Sequence, residues 1–553
     1  MDVGERQRKL SLWAEQDKEH RFYDLYGLLD NPNWLRTAHA SVSKNAGSAT
    51  AGTDGINMYF FDNNLEENFE KLREELKART FEPDPVRRAY IPKSNGKWRP
   101  RGIPSIKDRI VQEALRMILE PIWEADFANE SYGFRPGRCT MDAVITLYNT
   151  LRGSNKTYQW MIEGDITSYF DAIPHRKLMK CVKRRIQDKD ILELLWKFLR
   201  AGVLEKGKLC NTMTGTPQGG IISPLLANIY LHELDVYLRK YTALNEWYRR
   251  KRRTQGLSNF IYVRYADDWV ILCNGTRAQA EEMKGEVHDF LKSELHLTLS
   301  LEKTKITHIT DGFKFLGYWL RMGIGRNGKP QIKIEVPDEA GKRMREKIHA
   351  TLAPNTHYDS LAAKIMAMNR IVRGWCNYYR YCSSPSRVFY KLEHVIWWDM
   401  AHWIAGKYQI SIPKMCQRYR QGNTFGTRKV RLVMPSDIKT KQYMRRKFSN
   451  LYTVENQKLA REEIFDLDYV WLGTERRRGK QDIREAVIER DGLQCRVCGK
   501  DLDYFEAQID HMTPRAAFKR LTEAERLKNH QVLCTDHHRA KTKIDRQVLS
   551  RMR

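Results

Sequence analysis

The stretch that most limits how this chain can fold is Tyr265-Ala266-Asp267-Asp268 with its flanks. Phe260-Ile261-Tyr262-Val263 precedes it and Trp269-Val270-Ile271-Leu272 follows. β-Branched and aromatic residues in such runs read as two short strands, with the acidic pair at the turn between them. A hairpin tip holds side chains rigidly at a surface, which suits two anionic metal ligands. Asp is also an ordinary turn residue, so on the pair alone a solvated turn is the stronger reading. The rest of the chain decides between the two.

A third carboxylate lies a hundred residues earlier. Trp160-Met161-Ile162-Glu163-Gly164-Asp165-Ile166 reads as a buried strand with Asp165 at its end, followed by Phe170 and Asp171. Two-metal phosphoryl transfer needs several carboxylates converging on two ions about 3.5–4 Å apart. One ion activates the attacking hydroxyl and both stabilise the in-line transition state. Tyr90 to Pro100 reads as a hairpin around Ser94-Asn95-Gly96, with Lys93, Lys97 and Arg99 close together. A basic hairpin of this kind can clamp a triphosphate, Arg by a bidentate fork and Lys as a point charge. Tyr132 to Arg138 is a basic, Gly/Pro-punctuated loop compatible with a nucleic-acid backbone. Residues 1 to about 45 read as helical and charged, and the small-residue run from Gly47 to Gly55 reads as a linker able to approach a backbone closely.

Between the acids lies Gly215-Thr216-Pro217-Gln218-Gly219-Gly220, then Ser223-Pro224 and a helical stripe of Leu225, Leu226, Ile229, Tyr230 and Leu234. Ser223 is expected at the N-cap and Pro224 at the first helical position. The glycines before them leave room for a base pair or template strand. Farther on, Gly312 to Tyr318 is an aromatic–glycine hairpin.

Charge narrows the partner. The 96 Lys and Arg outweigh 68 Asp and Glu, giving +28 spread over the whole length. Such a chain repels itself unless a polyanion neutralises it, which points to nucleic acid before membranes. No apolar run approaches the roughly 20 residues that span a bilayer, and the N-terminus carries no secretory pattern. Length suggests about three to four domains. Seven of the ten cysteines are scattered, while Cys495, Cys498 and Cys534 cluster, as expected of a reducing compartment and one metal site.

In this order the motifs resemble a reverse transcriptase, and more narrowly the reverse transcriptase–maturases encoded within group II introns. The resemblance runs from about residue 44 to 425. It implies a right-hand polymerase with fingers and an antiparallel palm sheet over 81–335, after an N-terminal extension over 1–80. It makes Asp165, Asp267 and Asp268 the magnesium ligands, with the Ile166 carbonyl assisting. Lys93 and Arg99 would hold the incoming dNTP, and Phe170 would exclude a 2′-hydroxyl. Gln218 would lie beside the templating pair, Phe315 to Tyr318, with Gly317, would grip the primer end, and Lys303 would donate a proton to pyrophosphate. Arg101 departs from the family pattern, which more often has an apolar residue there.

Residues 336–425 turn helical, basic and aromatic. Trp375, Tyr378 and Tyr379 in Arg373 to Tyr381 read by period as helix core. The stretch resembles the family's α-helical thumb, domain X, which binds template–primer and intron RNA. Arg249 to Arg253 looks like an inserted loop, either solvated or touching RNA. Residues 426–480 carry recurrent Lys and Arg where the family places a DNA-binding region and linker.

The tail over 481–553 is sharper. Cys495-x-x-Cys498 and Cys534-x-x-His537 have the spacing of a tetrahedral zinc site. With Asp510, His511, Asn529 and His538, the tail resembles an HNH endonuclease, a small ββα-metal domain. The resemblance makes His511 the general base, Asp510 and His538 ligands of a catalytic magnesium, and Asn529 the residue that orients the His511 loop. A histidine titrating near 6.5 suits proton abstraction at neutral pH. The family often has Cys-x-x-Cys-His here, so the choice between His537 and His538 as zinc ligand stays open. Partners implied are group II intron RNA, target DNA and dNTPs, with no membrane. The location implied is a cytoplasmic ribonucleoprotein on a bacterial nucleoid, an organellar origin staying open. A stand-alone domesticated reverse transcriptase and an RNA-binding splicing factor with relic centres are the rival readings.

Overall fold

The computed structural model of the chain describes residues 2–92, 96, 98–152, 158–205, 208–210, 214–216, 219–300, 302–325, 328–427, 430–443, 450–453, 487, 490–502, 508–513, 529–538 and 540–541. Strands form where apolar and β-branched residues lie between turn formers. β1 (Val86–Pro92) pairs antiparallel with β2 (Trp98–Ile103), Pro92 facing Trp98. β4 (Val203–Glu205) joins β1 in parallel, and β5 (Lys208–Cys210) closes the sheet in the order β2-β1-β4-β5. The second sheet has the order β6-β7-β3-β8. It comprises β3 (Trp160–Gly164), β6 (Phe260–Tyr265), β7 (Asp268–Cys273) and β8 (Lys305–His308), all antiparallel.

The acidic hairpin is as tight as the sequence suggests. Tyr265 pairs with Asp268, so only Ala266 and Asp267 make the turn. Ala266 sits at φ 56°, a left-handed conformation costing roughly 1–2 kcal/mol in a residue with a Cβ. Gly133 lies flat against this turn, since a Cβ on it would come 2.4 Å from the Ala266 nitrogen. Gly52 likewise approaches Ser105 to a distance that only glycine tolerates.

Helices cover the sheet with their apolar faces. Ser223–Thr242 buries Leu225, Leu226, Ile229, Tyr230 and Leu234, and Ile106–Glu124 is buried along nearly its whole length. Two expectations are corrected. Ser223 is not a cap but the buried first helical residue, with Ile222 at the N-cap and no side-chain cap bond. Just before the cap, Gln112 Oε1 of a neighbouring helix accepts the Ile221 amide at 2.7 Å, which fixes the entry of the chain. Arg249 to Arg253 is not a loop but part of the helix Glu246–Thr254. Asn245 caps it at Tyr248, and Glu246 pairs with Arg250 and Arg253, which offsets the repulsion of the run.

Beyond the sheet, β9 (Phe313–Phe315), β10 (Tyr318–Ile324) and β11 (Pro330–Glu335) form an antiparallel ribbon. It leads to the helices Asp338–Thr351, Leu361–Tyr379, Pro385–Tyr408 and Ile412–Tyr419. Tyr379 is buried there, while Trp375 and Tyr378 are half-buried.

The chain then runs back over the body. Arg380 donates to the Lys439 carbonyl, the Tyr443 hydroxyl to Asp142 at 2.7 Å, and Asn450 to Ser11 at 2.8 Å. The Tyr452 hydroxyl reaches Glu120 at 2.5 Å. The strap belongs to the first of two compact units, Met1–Asp468. In the second unit, Tyr469–Arg553, Gln508–His511 pairs antiparallel with His530–Leu533. Residues 535–538 are helical, and Val487, Leu502, Val532 and Leu533 form a small core with Cys495 and Cys534. Among the described residues no helix is long and apolar enough to cross a membrane.

Candidate active site and candidate metal centre

Register brings the three carboxylates together. β3 and β7 are neighbours, with Gly164 opposite Trp269, so the next residues, Asp165 and Asp268, face each other at the sheet end. Gly164 is obligatory because a Cβ there would lie 2.0 Å from the Trp269 ring. The Asp165 carbonyl accepts the Ser300 amide at 2.9 Å and Ile166 bridges Leu299, which fixes both backbones.

The cluster is electrostatically strained. Burial, then the charges of Asp267 and Asp165, raise Asp268 to about 6, although solvent still reaches it. Burial raises Asp267 as well, its own amide, Asp165, Arg99 and Lys303 acting on it more weakly. Lys303 Nζ lies 2.8 Å from Asp165 Oδ2, and that bond raises the Lys303 ammonium above its usual range. The Lys303 ammonium therefore offsets part of the charge of an acidic cluster. Carboxylates with an adjacent backbone carbonyl form the hard oxygen set that magnesium prefers, so Asp165, Ile166, Asp267 and Asp268 fit that ion.

Beneath the turn lies a buried network that sequence reading missed. Arg264 donates to Asp235 at 2.5 and 2.7 Å, both side chains fully buried. Its remaining nitrogen donates to Asn228 and to the Ala266 carbonyl, each at 3.0 Å. Burial alone would raise Asp235, but Arg264 holds it at about 2. Asn228 also donates to the Gly133 carbonyl at 2.8 Å, so the residue abutting the turn and the turn itself share one anchor. The available signal was an arginine inside a strand that is otherwise apolar, and an aspartate on the apolar stripe of Ser223–Thr242.

The other predicted residues are placed as follows. Phe170 is buried, with the Phe134 ring edge-on at 6.2 Å. Its carbonyl accepts the Thr216 amide at 2.7 Å, which ties it to the glycine-rich loop. Gly219 presses on the Gly102 carbonyl of β2, so that loop touches the basic hairpin. Arg99 lies on β2 opposite Ile91. Lys93 and Gln218 fall outside the described residues. Phe315 is buried at the end of β9, and Gly317 takes φ 77° in the turn to β10.

In the tail, Cys495, Cys498, Cys534 and His537 bring one ligand atom each within 4.8 Å of one another. His537 Nδ1 stands 3.1 Å from the Cys534 sulfur and 3.6 Å from that of Cys495. His537, not His538, thus faces the cluster. Burial opposes ionisation of Cys495, but amides of Cys498, Cys534 and Val497 bring its thiol down to about 6. Three thiols and an imidazole at these separations fit tetrahedral zinc. His538 turns the other way, with Nε2 3.9 Å from Asp510, which also pairs with Lys541 at 3.2 Å. Asn529 accepts the Thr513 amide and donates to its carbonyl, while its own carbonyl accepts the Met512 amide at 2.6 Å. It thereby clasps the segment that follows His511.

Comparisons with known proteins bear on the part of the chain that carries the polymerase and thumb motifs. A family model described as reverse transcriptase (RNA-dependent DNA polymerase) matches residues 91–320. A second, the group II intron maturase-specific domain, matches residues 341–419. Protein YkfC of Escherichia coli is 41% identical over 369 residues, covering 64% of this chain and 97% of that protein. The group II intron-encoded protein LtrA of Lactococcus lactis subsp. cremoris is 31% identical over 485 residues, covering 75% of this chain and 80% of its own.

Proposed function

The chain belongs to the group II intron-encoded reverse transcriptase–maturases, and on that premise we propose a single protein that nicks a DNA target and copies intron RNA from the new end. The observation that carries the polymerase half is the convergence of Asp165, just past the end of β3, with Asp267 and Asp268 at the hairpin tip. Bound there, magnesium would activate the primer 3′-hydroxyl and neutralise charge in the in-line transfer. Asp165, Asp267 and Asp268 would hold the ion, with the Lys303 ammonium 2.8 Å from Asp165 beside it. From that place Lys303 would protonate the departing pyrophosphate. Arg99 and Lys93 bind the triphosphate, and Phe170 closes the pocket against a 2′-hydroxyl.

The nuclease half rests on the tail hairpin. Cys495, Cys498, Cys534 and His537 hold zinc as a structural clamp. His511 takes the proton from the attacking water, Asp510 and His538 hold a magnesium ion, and Asn529 keeps the His511 segment in register. Cleavage of the bottom strand supplies the 3′ end that the first unit extends. The maturase domain and the +28 charge support binding of the intron RNA and the DNA target.

The test separates the halves. His511→Ala is expected to reduce nicking of the target duplex by about 10²–10⁴-fold, the usual contribution of a general base. Primer extension on a supplied template should continue at the wild-type rate. Unchanged nicking would remove the tail from the mechanism and leave a reverse transcriptase–maturase alone.

A further inference from the structure

The turn Leu316-Gly317 between β9 and β10 is held from outside its own ribbon. The Tyr378 hydroxyl, on the helix Leu361–Tyr379, donates to the Leu316 carbonyl at 2.5 Å. Its neighbour Tyr379 donates to the Gly317 carbonyl at 3.2 Å. The bracing is reciprocal, because the Tyr318 hydroxyl donates to the Tyr378 carbonyl at 2.5 Å. The rings pack as well, Tyr318 stacking on Tyr378 at 4.9 Å and meeting Tyr379 edge-on at 5.6 Å. Tyr318 is wholly buried.

This turn is strained where it is held. Leu316 lies at φ 48° and Gly317 at φ 77°, two successive left-handed residues of which the first carries a Cβ. Backbone of this kind persists only when its surroundings over-determine it. Two phenol hydroxyls on adjacent carbonyls supply that constraint, and both come from the thumb helix. The helix is itself tied to the body, since Arg380 just beyond it donates to the Lys439 carbonyl of the strap.

We propose that Tyr378 and Tyr379 are positioning residues for the primer terminus, holding the Leu316-Gly317 turn so that nucleotide addition depends on how the thumb is seated. The inference rests on the reading of this hairpin as the element that grips the primer end. Neither tyrosine need touch substrate. Their work is to fix a backbone that does, and a misplacement of about 1 Å at a reacting end can cost on the order of 10²-fold in rate.

The test uses the full-length protein and a recessed DNA primer annealed to an RNA template. Single-turnover extension, primer–template dissociation constant and melting temperature are measured for wild type, Tyr378→Phe, Tyr379→Phe, the double variant and Gly317→Ala. Phenylalanine keeps the ring packing and removes only the hydroxyl. The double variant is expected to extend at least about tenfold more slowly at saturating dNTP, with primer affinity within about threefold of wild type. An unchanged extension rate in the double variant, with Gly317→Ala slow, overturns the proposal and leaves the primer-gripping reading intact. Wild-type rates in both overturn the two together. A slowing matched by an equal loss of primer affinity or by a large fall in melting temperature also overturns it, since that is a structural effect.

Discussion

Asp267→Ala combined with Asp268→Ala is expected to abolish cDNA synthesis, by about three orders of magnitude or more, because transition-state charge then has no metal to meet it. Misfolding will not explain the loss. Asp268 is raised to about 6 by burial and by its acidic neighbours, so its ionised form is disfavoured in the fold. The sign follows directly. A carboxyl whose folded pKa exceeds its unfolded one destabilises the fold progressively as pH rises from about 4 to about 6, and the effect persists above that range. Removing it should leave the melting temperature at pH 7 unchanged or higher. Binding of intron RNA should stay within about twofold, since the charge behind it is spread over the chain. Residual cDNA at wild-type yield would show that these carboxylates are not the polymerase centre.

Asp235→Ala is expected to have the largest effect on stability, although Asp235 touches no substrate. It strands the Arg264 guanidinium in a site with no solvent access. Breaking a buried pair on one side costs about 3–5 kcal/mol, a large share of the ordinary stability of a domain. Urea titration of the full chain at neutral pH would show it as a lower midpoint at unchanged slope. The double change Asp235→Leu with Arg264→Met should recover much of the stability, since no charge is then stranded. It should not recover catalysis, because the Ala266 carbonyl loses its Arg264 donor. A loss below about 1 kcal/mol for Asp235→Ala would mean that the pair is not the anchor of the turn.

The hairpin, the strand bearing Asp165 and the basic β-hairpin were legible because their information is local. Runs of β-formers end at turn residues, and each carboxylate sits where a strand stops. The Cys/His cluster of the tail was legible for a related reason, its residues being spaced as one ion would require. Choosing His537 over His538 was beyond sequence, because adjacent helical residues point in different directions and only the fold shows which one meets the sulfurs. The Arg264–Asp235 pair joins positions 29 residues apart, and each member looks ordinary in its own segment. Tyr378 and Tyr379 were read as helix core on their spacing. Period reveals an apolar face but not the hydroxyls at its edge, nor the carbonyls 62 residues away that accept from them. The strap was hidden too, since basic composition over 426–480 suggested DNA and carried no sign that Tyr443 and Tyr452 dock on Asp142 and Glu120. Arg249 to Arg253 misled for the opposite reason. A charge run looks like loop until its own glutamate and cap are counted.

The central claim is that Asp165, Asp267 and Asp268 together hold the metal on which the polymerase depends. Replacing magnesium with ferrous iron and mapping hydroxyl-radical cleavage of the full-length chain tests it most directly. The expected result is backbone scission beside residues 165–166 and 266–268, suppressed by excess magnesium and absent from the Asp267→Ala, Asp268→Ala protein. Scission confined to other parts of the chain, or persisting at these positions in that variant, would contradict it.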